Sequence, residues 1–376
     1  MLIPLIVQGG KEDRMKCLKR RVRISIICFL ISGCFLTGII IWNKLGKIKT
    51  DSLSATDLIT NNLSDLSLKK MSGYQTIVLA GVDSRSGDFN GTNSDTMMIA
   101  NIDHDNKKIK LVSLYRDTYL NIEVGKYGRA NSAYLLGGAK QMLNMMNQNL
   151  DLNLSEYIIT DFKAVTEVID LIGGIDIKMD HQELDLMNGY CVETSKVTGK
   201  RYTPLKPNDS NVYHLNGVQA VSYARIRYTA GNDFRRTARQ RYVMEEVFKK
   251  AKKEGITTLN SIADTVFPMI STNISEIEIL KLGLSLLSYE IEDETGFPFT
   301  HLEGEQVKNT LGLDCVVPVT LEENVIELHQ FLYKDVNYTP SETVKEYSKQ
   351  ISDRSLLGIS DIPEYSESGS LPMKKQ

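Results

Sequence analysis

The stretch TIVLAGVDSRSGDFNGTNSDTMMIANIDHDNKKIKLVSLYRDT, residues 76–118, holds three apolar runs separated by polar turns. Thr76 to Val82 ends at Asp83, Thr96 to Ile102 follows Asp95, and Lys108 to Tyr115 closes at Arg116, Asp117 and Thr118. Between them lie a loop rich in Gly, Ser and Asn (Ser84 to Ser94) and the turn Asp103-His104-Asp105-Asn106. Short β-branched runs bounded by turn residues predict strands. Strands joined in succession by short turns alternate in direction. The end of the first, the start of the second and the end of the third then share one edge, where Asp83, Asp95 and Arg116 converge beside Arg85. Each aspartate alone is also an ordinary turn residue. Two neighbouring carboxylates, however, repel unless a cation lies between them. Near phosphate that cation is Mg²⁺, held by one or two carboxylates plus phosphate oxygens and water.

The phosphate partner is suggested by a second stretch, YARIRYTAGNDFRRTARQR at 223–241. It carries Arg225, Arg227, Arg235, Arg236, Arg239 and Arg241, and no lysine falls between Lys206 and Lys249. A merely soluble face mixes Lys with Arg; arginine alone suggests a planar fork for phosphate or carboxylate. Asn232 or Asp233 reads as an N-cap for a helix running to about Lys253. Arg235, Arg236 and Arg239 then occupy its first two turns, where the helix dipole disfavours cations. An anion bound at that end removes the conflict.

The 376 residues suffice for one large or two medium domains, and the hydrophobic content of 42% with 24% charged residues is that of a globular protein. A net charge of -3 gives no basic footprint for nucleic acid. Ile24 to Trp42 contains no charged residue and approaches the ~20 residues that span a bilayer. Basic residues crowd Lys11 to Arg23, which places the N-terminus in the cytoplasm and the bulk of the chain outside. The competing reading is a processed lipoprotein with Ile31-Ser32-Gly33-Cys34 as its box, but the apolar run continues past Cys34. Met15 is an alternative start. Of five cysteines only Cys191 and Cys315 lie beyond the apolar run; their pairing stays open, and no metal spacing occurs.

The segments expected are thus a cytoplasmic N-terminus (1–23), a transmembrane helix (24–42), an extracellular stalk (43–73), a catalytic domain (74–335) and a flexible C-terminal tail (336–376). Within the domain, Asn131 to Met146 and Phe162 to Leu171 predict helices, and Tyr157 to Ile159 and Ile175 to Met179 short strands. Asp180 to Asn211 reads as an irregular surface excursion, and Leu215 to Tyr223 as a short helix. Ile256 to Ile270, Ile277 to Leu287 and Leu321 to Tyr333 follow as helices, with short strands at Phe299 to Leu302 and Cys315 to Pro318. The alternation packs helices on a sheet. The five histidines show neither ligand spacing nor a triad partner.

Seven segments resemble, in order, those of the LytR–CpsA–Psr proteins of Gram-positive cell envelopes: LAGVDSR (79–85), SDTMMIANID (94–103), KLVSLYRDTYLNI (110–122), RANSAYLLGG (129–138), DLIGGIDI (170–177), HLNGVQAVSYARIRY (214–228) and NDFRRTARQR (232–241). The resemblance covers about Gly73 to Tyr333. It implies an α/β fold, a central mixed β-sheet flanked by helices on both faces, with an apolar channel for a polyprenyl chain. It implies transfer of a glycopolymer, such as teichoic acid or capsule, from a polyprenyl-pyrophosphate carrier to a peptidoglycan hydroxyl at the membrane. Aspartates matching Asp83 and Asp95 would hold Mg²⁺, with Mn²⁺ as the alternative. Arginines matching Arg85, Arg116, Arg225, Arg227, Arg236 and Arg239 would surround the pyrophosphate. Asn93 and Arg235 depart from the family pattern, which often has Arg before Ser-Asp-Thr and Gly after Asp-Phe.

Catalysis is then expected from Arg116, Arg236 and a base, Asp233, with Asp117 as the other candidate for the base. Two further functions fit the same residues: hydrolysis of the pyrophosphate, and a non-catalytic envelope regulator that binds the lipid carrier. The absence of a helix-turn-helix pattern speaks against direct DNA binding.

Overall fold

The computed structural model describes residues 49–50, 52–84, 88–227 and 232–361. The expected transmembrane helix at 24–42 lies outside the described residues. The chain divides into two units, 1–47 and 48–376, and all of the described secondary structure belongs to the second. Among the described residues no helix is long and apolar enough to cross a membrane.

In chain order the elements are β1 (Lys49–Thr50), α1 (Asp65–Met71), β2 (Gln75–Val82), β3 (Ser94–Asp103), β4 (Lys108–Leu114), β5 (Tyr119–Glu123), β6 (Lys126–Arg129), α2 (Ser132–Leu150), β7 (Glu156–Thr160) and α3 (Phe162–Leu171). Then come β8 (Ile175–Lys178), α4 (His181–Thr198), β9 (Val212–Leu215), α5 (Gly217–Ala224), α6 (Asn232–Val266), β10 (Ser271–Thr272), α7 (Glu276–Leu286) and β11 (Glu290–Phe297). The last are β12 (His301–Leu302), α8 (Glu305–Leu311), β13 (Val317–Pro318), α9 (Leu321–Tyr333) and α10 (Glu342–Ser355).

Seven strands form one sheet in the order β1-β10-β7-β2-β3-β4-β11. The β2–β3 and β3–β4 pairs are antiparallel, whereas β7 runs parallel to β2 and β11 parallel to β4. The sheet is therefore mixed. Period-two alternation sorts its side chains into two cores. Val78, Ala80, Val82, Ile99 and Val112 face one side with Leu143 of α2, Leu328 of α9 and Val344 of α10. Ile77, Met98, Ala100, Ile102 and Leu111 face the other, against Phe248 of α6 and Ile279 of α7. Each apolar side chain taken fully out of water contributes roughly 1.5–3 kcal/mol, which is why register is fixed on both faces.

Two regions depart from expectation. Asp180 to Asn211 is not irregular throughout: α4 occupies His181–Thr198, opened by a capping box in which Asp180 accepts from Glu183 N and Glu183 from Asp180 N. Its buried residues Leu184, Met187, Cys191, Thr194 and Thr198 recur at helical spacing. The tail expected to be flexible contains α10, capped by Ser341 and seated through Val344, Ser348 and Ile351. A polar helix with one narrow apolar stripe hides in composition; spacing reveals it. Between Asn232 and Val266 the helix breaks at Gly255 (φ 77°), close to the expected end at Lys253. Cys191 and Cys315 are both buried and unpaired with one another.

Candidate functional site

The site begins at one edge of the sheet. Gly81 pairs with Thr96, but the next residue, Val82, pairs with Ser94. Asp95 is thus the extra residue of a β-bulge, a device that re-aims a side chain at the end of a strand. Met97 pairs with Leu114, so Arg116 emerges just beyond β4 at the same edge. The Arg116 Nη1 donates to Asp95 Oδ1 at 2.9 Å and its Nε to Asp117 Oδ2 at 3.1 Å. Its backbone is pinned as well: Asn131 N donates to the Arg116 carbonyl at 2.9 Å, and Ser94 N to the Asn131 carbonyl at 3.4 Å. Asp117 also faces Arg129 Nε at 3.6 Å. Asp83, half-buried, follows β2 directly.

The arginine helix is docked onto this edge by its aromatic residue. Phe234 packs against Tyr115 (centroids 4.6 Å apart) and His301 (4.5 Å). Burial lowers the His301 pKa, which keeps the ring neutral in this apolar contact. Two residues on, Arg236 Nη2 donates to the Asp95 carbonyl at 2.6 Å, with only 3% of the residue exposed. Asp95, Arg116 and Arg236 therefore meet.

The other arginines take different places. Arg225 donates to Thr194 Oγ1 (2.9 Å) and Glu193 Oε2 (3.0 Å) and lies over the Phe162 ring. Arg227 and Arg235 are half-buried. Arg239 is fully buried and committed: Nε and Nη2 hold Glu183 Oε1 at 2.9 and 2.8 Å, and Nη1 donates to the Ile226 carbonyl at 3.1 Å. Arg241 is buried too, its pKa lowered by burial, with Tyr115 and Glu294 opposing that shift. The cations near this helix start thus have two uses, some lining the edge and some bracing the fold. Arg85 and the side chain of Asp233 lie outside the described residues.

Behind the edge runs an apolar cavity of about 380 Å³. Leu79, Met98 and Ile158 of the sheet form its floor, and α3, α5 and α6 supply its walls through residues such as Val165, Val221 and Val243. Its polar lining includes Gly81 and Thr96, which flank the bulge, together with Arg225, Gln240 and Asp161. Burial pushes the Asp161 carboxyl up from its ordinary range, although it still caps α3 by accepting from Ala164 N at 2.9 Å. Sequence reasoning missed Asp161 and Gln240. The first carried a signal, an Asp immediately before an apolar helical run; the second carried none.

Among the described residues no group of three or more His, Cys, Asp or Glu could hold a metal ion. Asp83 and Asp95 offer oxygen donors only, and one Asp95 oxygen already serves Arg116. Such a set fits a hard ion that draws its remaining ligands from phosphate and water rather than from a closed protein cage.

A mixed sheet thus gathers carboxylates and guanidiniums at one edge, next to an apolar cavity lined by Gly81, Thr96 and Arg225. The chain belongs to the LytR_cpsA_psr family, whose model matches residues 42–312. It is 30% identical over 220 residues to the regulatory protein MsrR of Staphylococcus aureus, covering 57% of this chain and 61% of that protein. It is 28% identical over 216 residues to the polyisoprenyl-teichoic acid–peptidoglycan teichoic acid transferase TagU of Enterococcus faecalis, covering 56% of this chain and 65% of that one. The match thus spans less than two thirds of these relatives' length. Its fold is similar to solved structures of TagT: one bound to LI-WTA (TM-score 0.55, 19% identity, 78% of this chain and 99% of that chain) and one with bound octaprenyl pyrophosphate lipid (TM-score 0.51, 17% identity, 78% and 99%).

Proposed function

We propose that this protein is a membrane-anchored phosphotransferase that moves a glycopolymer from a polyprenyl-pyrophosphate carrier to peptidoglycan. The observation that carries the reading is the apolar cavity lined by Gly81 and Thr96, which flank the bulge at Asp95, and by Arg225, next to the contacts that join Asp95 to Arg116 and Arg236. A prenyl chain gains roughly 0.8 kcal/mol per buried methylene there, and the pyrophosphate would meet Arg116, Arg225, Arg227 and Arg236. Family membership and the teichoic acid transferase named among the relatives support the same class of reaction. The run 24–42 would anchor the chain with its N-terminus in the cytoplasm and confine enzyme and lipid to one surface.

In the reaction a sugar hydroxyl oxygen forms a bond to the phosphorus that carries the glycopolymer. The bridging P–O bond breaks, polyprenyl monophosphate leaves, and the hydroxyl proton passes to a base, assigned to Asp233. Mg²⁺, held by Asp83 and Asp95, would neutralise charge on the pyrophosphate when bound. Guanidiniums fixed before the reaction do the same without reorganisation. Arg116 is oriented for this by Asp117, which is itself engaged by Arg129. Arg239 acts differently, bracing the backbone between Arg225 and Arg227.

The test is product analysis with lipid-linked polymer and peptidoglycan. Asp95→Ala abolishes transfer while lipid still binds; polymer released free, and never attached to peptidoglycan, would replace transfer by hydrolysis. If Asp95→Ala retains full transfer, Asp95 has no part in the reaction; a wild type that binds the lipid and turns none of it over is a binder and not an enzyme of this kind. Asp233→Asn slows transfer with lipid still bound, and full turnover moves the base elsewhere.

A further inference from the structure

Arg225 lines the apolar cavity together with Gly81, Thr96 and Phe162. Phe162 lies two residues beyond Thr160, which pairs with Gly81, so this arginine belongs to the bulged end of the sheet. Its guanidinium stands 4.6 Å over the Phe162 ring and 5.9 Å over that of Tyr190. The helix α4 holds the guanidinium edge: Nη1 donates to Thr194 Oγ1 at 2.9 Å and Nη2 to Glu193 Oε2 at 3.0 Å. A guanidinium has five N–H donors. Among the described residues these two are its hydrogen bonds, so donors remain for a ligand.

The two anchors on α4 are not equivalent. Thr194 is fully buried, and its hydroxyl is fixed by accepting from Ser222 Oγ at 2.9 Å and donating to the Tyr190 carbonyl at 3.1 Å. Together with the Phe162 ring face, this neutral contact sets the place of the guanidinium. The Glu193 side chain is 48% exposed, against 17% for Arg225. The carboxylate can therefore turn into water at little cost while the guanidinium stays. Glu193 contributes charge more than position. An anion already resting on Arg225 opposes a second anion arriving there, and an exposed pair of this kind shifts an equilibrium by roughly twofold to fivefold.

We propose that Glu193 is a resident anion of the head-group site: it occupies Arg225 while the site is empty and yields it to the pyrophosphate, and so sets how tightly lipid-linked phosphate is held. The inference rests on the transferase reading above. With two phosphoryl groups the donor makes more charge-assisted contacts than the carboxylate it displaces. The polyprenyl monophosphate left after transfer has one phosphoryl group, and the return of Glu193 to Arg225 favours its departure.

The probes are octaprenyl pyrophosphate, octaprenyl monophosphate and octaprenol, titrated calorimetrically at low salt into the full chain. The proteins are wild type, Glu193→Gln, Arg225→Ala and the double variant. Glutamine keeps the size of glutamate and removes its charge. Glu193→Gln should bind both phosphates roughly twofold to fivefold more tightly and octaprenol unchanged. The gain should shrink in high salt and vanish in the Arg225→Ala background, as a coupled pair requires. Phosphate affinity unchanged or weakened by Glu193→Gln, an equal gain for octaprenol, or a gain that survives without Arg225 overturns the role of Glu193. In each of those cases a wild type that prefers the phosphates over octaprenol leaves the transferase reading standing. A wild type without that preference removes the head-group site, and both readings fall.

Discussion

Glu183→Ala removes a carboxylate partner of a guanidinium that has no contact with water. The Arg239 side chain is 0% exposed and that of Glu183 11%, and the pair is joined by bonds of 2.8 and 2.9 Å. Breaking a buried pair from one side leaves an uncompensated charge and costs roughly 3–5 kcal/mol. The same carboxylate accepts from Asp180 N at the start of α4, so part of a helix cap is lost as well, worth about 0.5 kcal/mol. We expect a loss of about 4 kcal/mol in urea unfolding at neutral pH. A double replacement, Glu183→Leu with Arg239→Met, should recover most of it, because an apolar pair of similar volume replaces a buried ionic one at little cost. A guanidinium held in reserve for an anionic ligand would give another pattern: Glu183→Ala would change stability by less than about 1 kcal/mol, a surface-like effect. That result would refute the bracing role of Arg239. The pair also fixes the Ile226 carbonyl, so its loss should loosen Arg225 and Arg227 and weaken lipid binding.

Three further outcomes are expected. A Cβ at Gly296 would lie 2.1 Å from the Tyr115 hydroxyl, so Gly296→Ala should displace the ring on which Phe234 packs and destabilise the protein by about 1–3 kcal/mol; an unchanged Tm contradicts that packing. Burial holds the His329 pKa at about 4, with its Nε2 3.0 Å from the Leu150 carbonyl. The neutral ring is therefore native, full stability is present above pH 6.5, and up to about 3 kcal/mol is lost as pH falls from 6.5 toward 4; His329→Gln should flatten that part of the profile, and equal slopes would exclude His329 as the cause. Burial pushes the Cys315 thiol up to about 12 and raises that of Cys191, so neither should react with iodoacetamide at pH 8 until the protein unfolds; fast native labelling contradicts their burial.

The meander at 76–118 was legible because its strands carry β-branched runs and its turns carry Asp, Asn and Gly. Antiparallel pairing then followed from loop length, and with it the shared edge of Asp83, Asp95 and Arg116. The bulge at Asp95 was not legible, since a shift of one residue leaves no mark in composition. Within the arginine stretch, residue type alone could not separate Arg236, which touches the Asp95 carbonyl, from Arg239, which is buried against Glu183. That division depends on α4, whose capping box at Asp180 and Glu183 was present in the sequence and unused. The strand β11 was missed because Glu290, Glu292, Asp293 and Glu294 disguise an edge strand as a loop; its apolar end at Phe297 pairs with Leu114. The helix α10 has the composition of a tail because its buried stripe is only four residues long.

The most direct measurement is calorimetric titration of the purified protein with octaprenyl pyrophosphate and, separately, with octaprenol, for wild type and Arg236→Ala. Charge-assisted hydrogen bonds contribute roughly 1.5–3 kcal/mol each. The wild type should therefore prefer the pyrophosphate over the alcohol by more than 100-fold, and Arg236→Ala should lose at least tenfold of that preference while binding octaprenol unchanged. Equal affinity of the wild type for the two lipids, or a preference untouched by the substitution, would contradict a guanidinium-lined head-group site at the mouth of the cavity.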